Sequence, residues 1–222
     1  MTTPEYVILS RLTADGRKTL RSNPERLLEV NEEIDAMGAK VMRQYALLGK
    51  YDFLTILERL GQLKDVRLTY LGDGNNVLHS LLIGGAMLGM HIVAATPVDY
   101  RPLPGVVQKA EALARSSGGS VTLTADPIEA VREAHVLYTD TWTSMGQEEE
   151  AAARRQVFPA YQINDALLAR GAAIEGVMHC LPAHRGEEIT DAVADGERSW
   201  LWDQAENRLH GQKAILVHLL KE

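Results

Sequence analysis

The sequence predicts an α/β protein: a doubly wound, mostly parallel sheet preceded by a small incomplete ferredoxin-like βαββ unit. Three observations predict it. From about residue 59 onward, short β-branched runs alternate with amphipathic stretches, the rhythm of β-α-β crossovers. Before that point one helical stretch is followed by two apolar runs with only a tight turn between them. Finally, three polar loops, at residues 72–76, 140–146 and 180–186, each follow directly on an expected strand.

The elements follow in order. Residues 6–12 are β-branched and apolar enough for a strand. Asn23-Pro24-Glu25 then reads as an N-cap, an N1 proline and an acidic first turn. The helix after it places Leu27, Leu28, Val30, Ile34 and Met37 at helical spacing, and Gly38 stops it. Residues 41–48 and 52–57 read as two strands joined at Gly49-Lys50. The second part has strands expected at 67–71, 92–95, 121–124, 136–139 and 176–179. Helices are expected near 77–90, 106–116 and 127–134, with a long final helix at 205–220 carrying Leu209, Ile215, Leu216, Leu219 and Leu220. Right-handed crossovers make such a sheet mostly parallel, with its binding crevice at the carboxyl ends of the strands. The three polar loops should therefore meet on one edge.

Composition narrows the function classes. A net charge of -7 argues against a nucleic-acid partner, which demands a basic face. The longest apolar run, residues 81–90, is too short and glycine-rich to span a bilayer, and the start has no secretory pattern, so the cytoplasm is the expected compartment. The single cysteine leaves no internal disulfide and no cysteine-cluster zinc site.

The loops carry the chemistry. Gly72-Asp73-Gly74-Asn75-Asn76 suits a tight turn into a helix capped by Asn75 or Asn76, but the spacing of a dinucleotide fingerprint is not completed. Asp140-Thr141-Trp142-Thr143-Ser144-Met145-Gly146 offers a carboxylate for an ammonium group and hydroxyl donors for a carboxylate, the two needs of an amino-acid zwitterion. A plain structural alternative makes Ser144 the cap of a helix opening with Glu148-Glu149-Glu150. In His179-Cys180-Leu181-Pro182-Ala183-His184-Arg185-Gly186, the lone cysteine lies between two histidines. A buried cysteine is the common structural outcome. No carboxylate–histidine pattern at ligand spacing points to a metal, and no cofactor is expected.

Taken with Tyr70-Leu71, Ala95-Thr96-Pro97 and Ala205-Glu206-Asn207-Arg208-Leu209-His210, these loops make residues 59–222 resemble the carboxyl-terminal, ornithine-binding domain of ornithine carbamoyltransferases. The resemblance implies that Asn76, Asp140, Ser144 and Met145 hold the amino and carboxylate groups of ornithine. It places Cys180 and Leu181 near the attacking amine, and aims Arg208 at the carbonyl oxygen of the carbamoyl group. Asp140, Cys180 and Arg208 would then serve catalysis, since amine attack on a carbonyl needs a proton acceptor and oxyanion stabilisation.

The sequence departs from that family in its first part. The family's Ser-x-Arg-Thr phosphate loop has no counterpart: Ser10-Arg11-Leu12-Thr13 ends an expected strand and opens no helix. Where His-Pro-x-Gln is due, Tyr45-Ala46-Leu47-Leu48 stands. Residues 1–58 instead resemble a partial GYD-type domain, through Tyr6-Val7-Ile8-Leu9, Asn23-Pro24-Glu25-Arg26, Glu29-Val30-Asn31 and Gly49-Lys50-Tyr51-Asp52-Phe53.

Three readings result. The chain binds an ornithine-like amino acid without ordinary carbamoyl transfer on its own, taking carbamoyl phosphate weakly at most. Alternatively it is an active transferase whose donor site comes from residues 1–58 or another subunit. Or it is a non-catalytic assembly module. A homodimer is expected through the N-terminal strands, the final helix, or both, because an unpaired sheet edge and a leucine-rich helix face both seek cover.

Overall fold

The computed structural model describes residues 50–144 and 147–220, with side chains to residue 213. The expected strands at 6–12 and 41–48, the helix between them and the ferredoxin-like unit they compose lie outside these residues, as does Met145.

Five parallel strands form the sheet: β1 (Arg67–Leu71), β2 (His91–Ala95), β3 (Ser120–Thr124), β4 (Val136–Thr139) and β5 (Gly176–His179), in the order β3-β2-β1-β4-β5. The chain steps outward from β1 to β3, then returns to lay β4 on the other side of β1. The loops leaving β1 and β4 therefore diverge, and the crevice of a doubly wound sheet opens between them. Register sets its floor. Leu71 pairs with Thr139, and Thr139 with His179, so the loops after β1, β4 and β5 all start at one level.

The helices are α1 (Lys50–Leu60), α2 (Asn76–Met87), α3 (Pro104–Ser117), α4 (Pro127–Val131), α5 (Ala151–Val157), α6 (Asp165–Leu168), α7 (Asp191–Ala194) and α8 (Leu201–Leu220). Alternate strand residues feed two cores, as the pleat requires. Leu68, Tyr70, Val136, Tyr138 and Met178 pack with Leu78, Leu81 and Leu82 of α2 and with Ala110 and Ala114 of α3. Leu71, Leu137 and Val177 pack with Val131 of α4, Leu167 and Leu168 of α6 and Val193 of α7. Fully burying one such side chain is worth roughly 1.5–3 kcal/mol.

Residues 52–57, expected as a strand, are helical within α1. Phe53, Thr55 and Ile56 have strand-like side chains, but burial follows the helical repeat. Asp52, Phe53, Thr55 and Ile56 are buried while Leu57, Glu58 and Arg59 are exposed. Phe53 fixes α1 against α2, where a β-carbon on Gly84 would come within 2.5 Å of its ring. Helix ends shift too. The stretch expected to 90 stops at Met87, because Gly89 turns the chain at φ 73, and the final helix begins at Leu201, four residues early.

Candidate functional site

Asn75 is the N-cap of α2: its Oδ1 accepts from the backbone N–H groups of Val77 and Leu78, at 2.9 and 3.2 Å. With the oxygen so engaged, the amide nitrogen faces the crevice and donates to Asp140 Oδ2 at 2.7 Å. The other carboxylate oxygen of Asp140 accepts from the Cys180 thiol at 2.9 Å and from the Thr141 N–H at 2.8 Å. Loops following β1, β4 and β5 thus converge on one buried carboxylate, as their positions in the sequence implied. Burial pushes the Cys180 thiol well up from its usual range, and the adjacent Asp140 pushes it further, so the sulfur stays protonated at neutral pH.

The remaining expected site residues divide. Asn76 is exposed in the first turn of α2, and Leu181 is half-buried beside Cys180. Ser144 is half-buried, and its backbone is tied to Gln147 in both directions, at 3.2 and 3.0 Å. It does not cap the following turn: Gln147 stands at that position and makes no side-chain cap bond. Arg208 is exposed on α8, and its charge acts on Asp52 of α1.

Three further groups support the site, and of these only Gly74 was part of a polar loop motif read from the sequence. Arg154 of α5 donates from Nη1 to Asp73 Oδ2 and to the Trp142 carbonyl, both at 2.8 Å, while its guanidinium lies 4.8 Å from the Tyr100 ring centre. It therefore clamps the β1 loop to the β4 loop from below. Gly74 completes that loop: a β-carbon there would sit 2.4 Å from backbone atoms of Arg101 and Pro102. Asp52 closes the far side. It is buried and accepts from Gln204 Nε2, whose Oε1 takes the His179 N–H at 2.9 Å and whose Nε2 also donates to Tyr138 at 3.1 Å. Burial pushes the Asp52 carboxyl up to about 6, against hydrogen bonds from Gln204 and Tyr138 and the Arg208 charge. Asp52, 152 positions from Gln204, left no signal of this pairing in the sequence. Arg154, distant in sequence from Asp73, left none either.

His179 is buried and sets the start of the Cys180 loop. Its Nδ1 accepts from the Leu181 N–H at 2.9 Å, so the ring proton resides on Nε2 and is donated to Glu188 at 3.0 Å. Leu181 itself takes a left-handed conformation, φ 53, which turns the chain immediately after the thiol.

The fold is a doubly wound α/β domain with this acid–thiol cluster at its switch point, the place where such sheets commonly carry their binding crevice. The family model for the Asp/Orn binding domain of aspartate/ornithine carbamoyltransferase matches residues 64–219, and the chain belongs to that family. A GYD domain model matches residues 6–61. The ornithine carbamoyltransferase of Gloeobacter violaceus is 57% identical over 169 residues, covering 76% of this chain and 54% of the relative. That of Rhodococcus opacus is 56% identical over 172 residues, covering 77% and 55%. The solved ornithine carbamoyltransferase from Pyrococcus furiosus superposes with a TM-score of 0.72 at 53% identity, covering 75% of this chain and 53% of that one. The chain thus spans about half the length of the curated relatives it matches. Among the described residues no helix is long and apolar enough to cross a membrane.

Proposed function

We propose that residues 59–222 form an acceptor-binding domain for an ornithine-like amino acid, and that this chain does not by itself carry out ordinary carbamoyl transfer. The observation that supports binding most is the joint hold of Asn75 and Cys180 on Asp140. The Asp140 carboxylate is fixed in orientation, mostly buried, and aimed where strand ends from both halves of the sheet meet. Such a group recognises an ammonium through a charge-assisted hydrogen bond. Asn76, Ser144, Met145 and Leu181 would complete the zwitterion's contacts. Cys180 would lie by the side-chain amine, protonated and therefore a hydrogen-bonding group and not a nucleophile. Asp140 would receive the amine's proton, and Arg208 would meet the carbamoyl oxygen if a donor were supplied from elsewhere.

Loss of transfer is supported by the first segment. Residues 6–61 match a GYD domain, and their sequence carries no Ser-x-Arg-Thr string of the phosphate-cradling kind. Pairing of identical chains is part of the same proposal, supported by Trp202 and Leu209, which are exposed on α8. Calorimetric titration with L-ornithine tests the binding: saturable heat is expected, weakened at least about tenfold in Asp140→Asn, since a charge-assisted contact is worth about 1.5–3 kcal/mol. Binding that Asp140→Asn leaves intact would place the ligand elsewhere.

A further inference from the structure

A second polar cluster lies beyond the Cys180 loop, in the turn that returns the chain to the core. Residues 184–189 fold back on themselves: Glu187 N–H donates to the His184 carbonyl at 2.9 Å and Gly186 N–H to that of Ile189 at 2.8 Å. Ile189 anchors the turn in the core, and Arg185 secures its outside through Asp191 and Asp195. The turn is therefore fixed, and so are the side chains it presents.

Glu188 is fully buried, yet only half of its carboxylate is satisfied. Oε1 accepts from His179 Nε2 and from the His184 backbone N–H. Oε2 is buried with no hydrogen-bond partner among the described residues. An orphaned oxygen on a buried carboxylate is costly, and a native fold rarely keeps one without a ligand. What Oε2 faces is the His184 imidazole, with Nδ1 4.0 Å away on a side chain 54% exposed. Glu187 stands beside them, with one carboxylate oxygen held by Arg155 at 2.9 Å and a second left over. Ligand atoms of His184, Glu187 and Glu188 lie within 4.8 Å of one another.

We propose that His184, Glu187 and Glu188 form a binding site for a divalent transition-type cation such as zinc. One imidazole nitrogen and two carboxylate oxygens are an ordinary ligand set for that class, which takes such atoms at about 2.0–2.2 Å. The 4.0 Å between Nδ1 and Oε2 is bridged by an ion nearly midway, and the exposed imidazole needs only a small swing to tighten the geometry. Water fills the open side. The two acids offset the cation's charge, and the ion gives Glu188 Oε2 the partner it lacks. His179 supports the site from behind, as outer hydrogen bonds to ligating carboxylates do. Because the same histidine holds the Leu181 N–H, an ion here would stiffen the loop that carries Cys180.

The test is equilibrium binding of Zn²⁺ and Co²⁺ to the full chain in chelator-stripped buffer. One cation per chain is expected, bound at least about tenfold more weakly in His184→Ala and in Glu187→Gln. Both residues are at least partly exposed, so these variants keep the fold, which circular dichroism checks. Cys180→Ala should leave the affinity unchanged, and the Co²⁺ form should show no thiolate charge-transfer absorption. Absence of saturable binding overturns the proposal, leaving His184 to close directly on Glu188. Binding that survives both ligand variants, or that disappears with Cys180 and shows the thiolate band, overturns it as well. The ornithine titration is run in the same chelator-stripped buffer without added metal, so its outcome and these are read separately.

Discussion

Replacing Arg154 by Met removes the clamp beneath the site while keeping much of its volume. The side chain is 5% exposed and its partner Asp73 9%, so the pair is isolated from solvent. Without the guanidinium, Asp73 loses its counter-charge, and the Trp142 carbonyl loses its donor. Removing one member of a buried pair costs about 3–5 kcal/mol, chiefly because the remaining charge stays buried. The loss must depend on pH. Burial already raises the Asp73 carboxyl above its usual range despite Arg154, and removing Arg154 raises it further. A carboxyl whose folded pKa exceeds its unfolded value binds protons more readily in the folded state. Its penalty is therefore full above the folded pKa and is relieved as pH falls through it. The deficit against the parent chain should be largest at pH 7 and smaller by pH 5, and adding Asp73→Asn should recover a large part of it. Urea unfolding followed by tryptophan fluorescence reads this directly, since Trp142, Trp200 and Trp202 all belong to the sheet-bearing unit. A deficit under about 1 kcal/mol, or one equal at both pH values, would refute the buried-clamp reasoning.

Other outcomes follow from the same structure. Cys180 should react with iodoacetamide at pH 7.5 at least about tenfold more slowly than glutathione, and Asp140→Asn should speed it up; reaction at the glutathione rate would contradict the raised thiol. The rise of Asp52 from 3.8 to about 6 costs the folded state about 3 kcal/mol above pH 6, a penalty that disappears as pH falls toward 4. Asp52→Asn should therefore stabilise the chain at pH 7.5 and flatten its stability between pH 4 and 6, and a destabilised variant at pH 7.5 would count against the assignment. Gly74→Ala should cost about 1–3 kcal/mol in urea unfolding and weaken ornithine binding, because the added carbon meets backbone and no side chain can swing aside. An unchanged variant would mean that the 100–102 segment yields easily.

The parallel sheet was legible because its strands are short, largely apolar runs bounded by turn residues, and because alternation with helices leaves few topologies. The convergence of Asp140 and Cys180 followed from that topology alone, since both residues come straight after strands that lie side by side. Local composition misled at residues 52–57. A phenylalanine, a threonine and an isoleucine favour a strand, yet the buried face repeats as a helix, and the tertiary contact with Gly84 decides the outcome. The Asp73–Arg154 clamp and the His184–Glu187–Glu188 turn were out of reach for a different reason. Neither spacing matches a local motif, and each depends on burial that only the assembled fold creates.

The account turns on whether the chain holds an acceptor amino acid yet cannot complete the transfer. A citrulline assay on the full chain with L-ornithine and carbamoyl phosphate, run on protein that already gives saturable heat with ornithine, addresses both halves. The account predicts heat on ornithine addition and no citrulline above the uncatalysed background. Citrulline formed at a rate that falls in Arg208→Ala would contradict it, and would show that the donor site is complete in this chain or its oligomer.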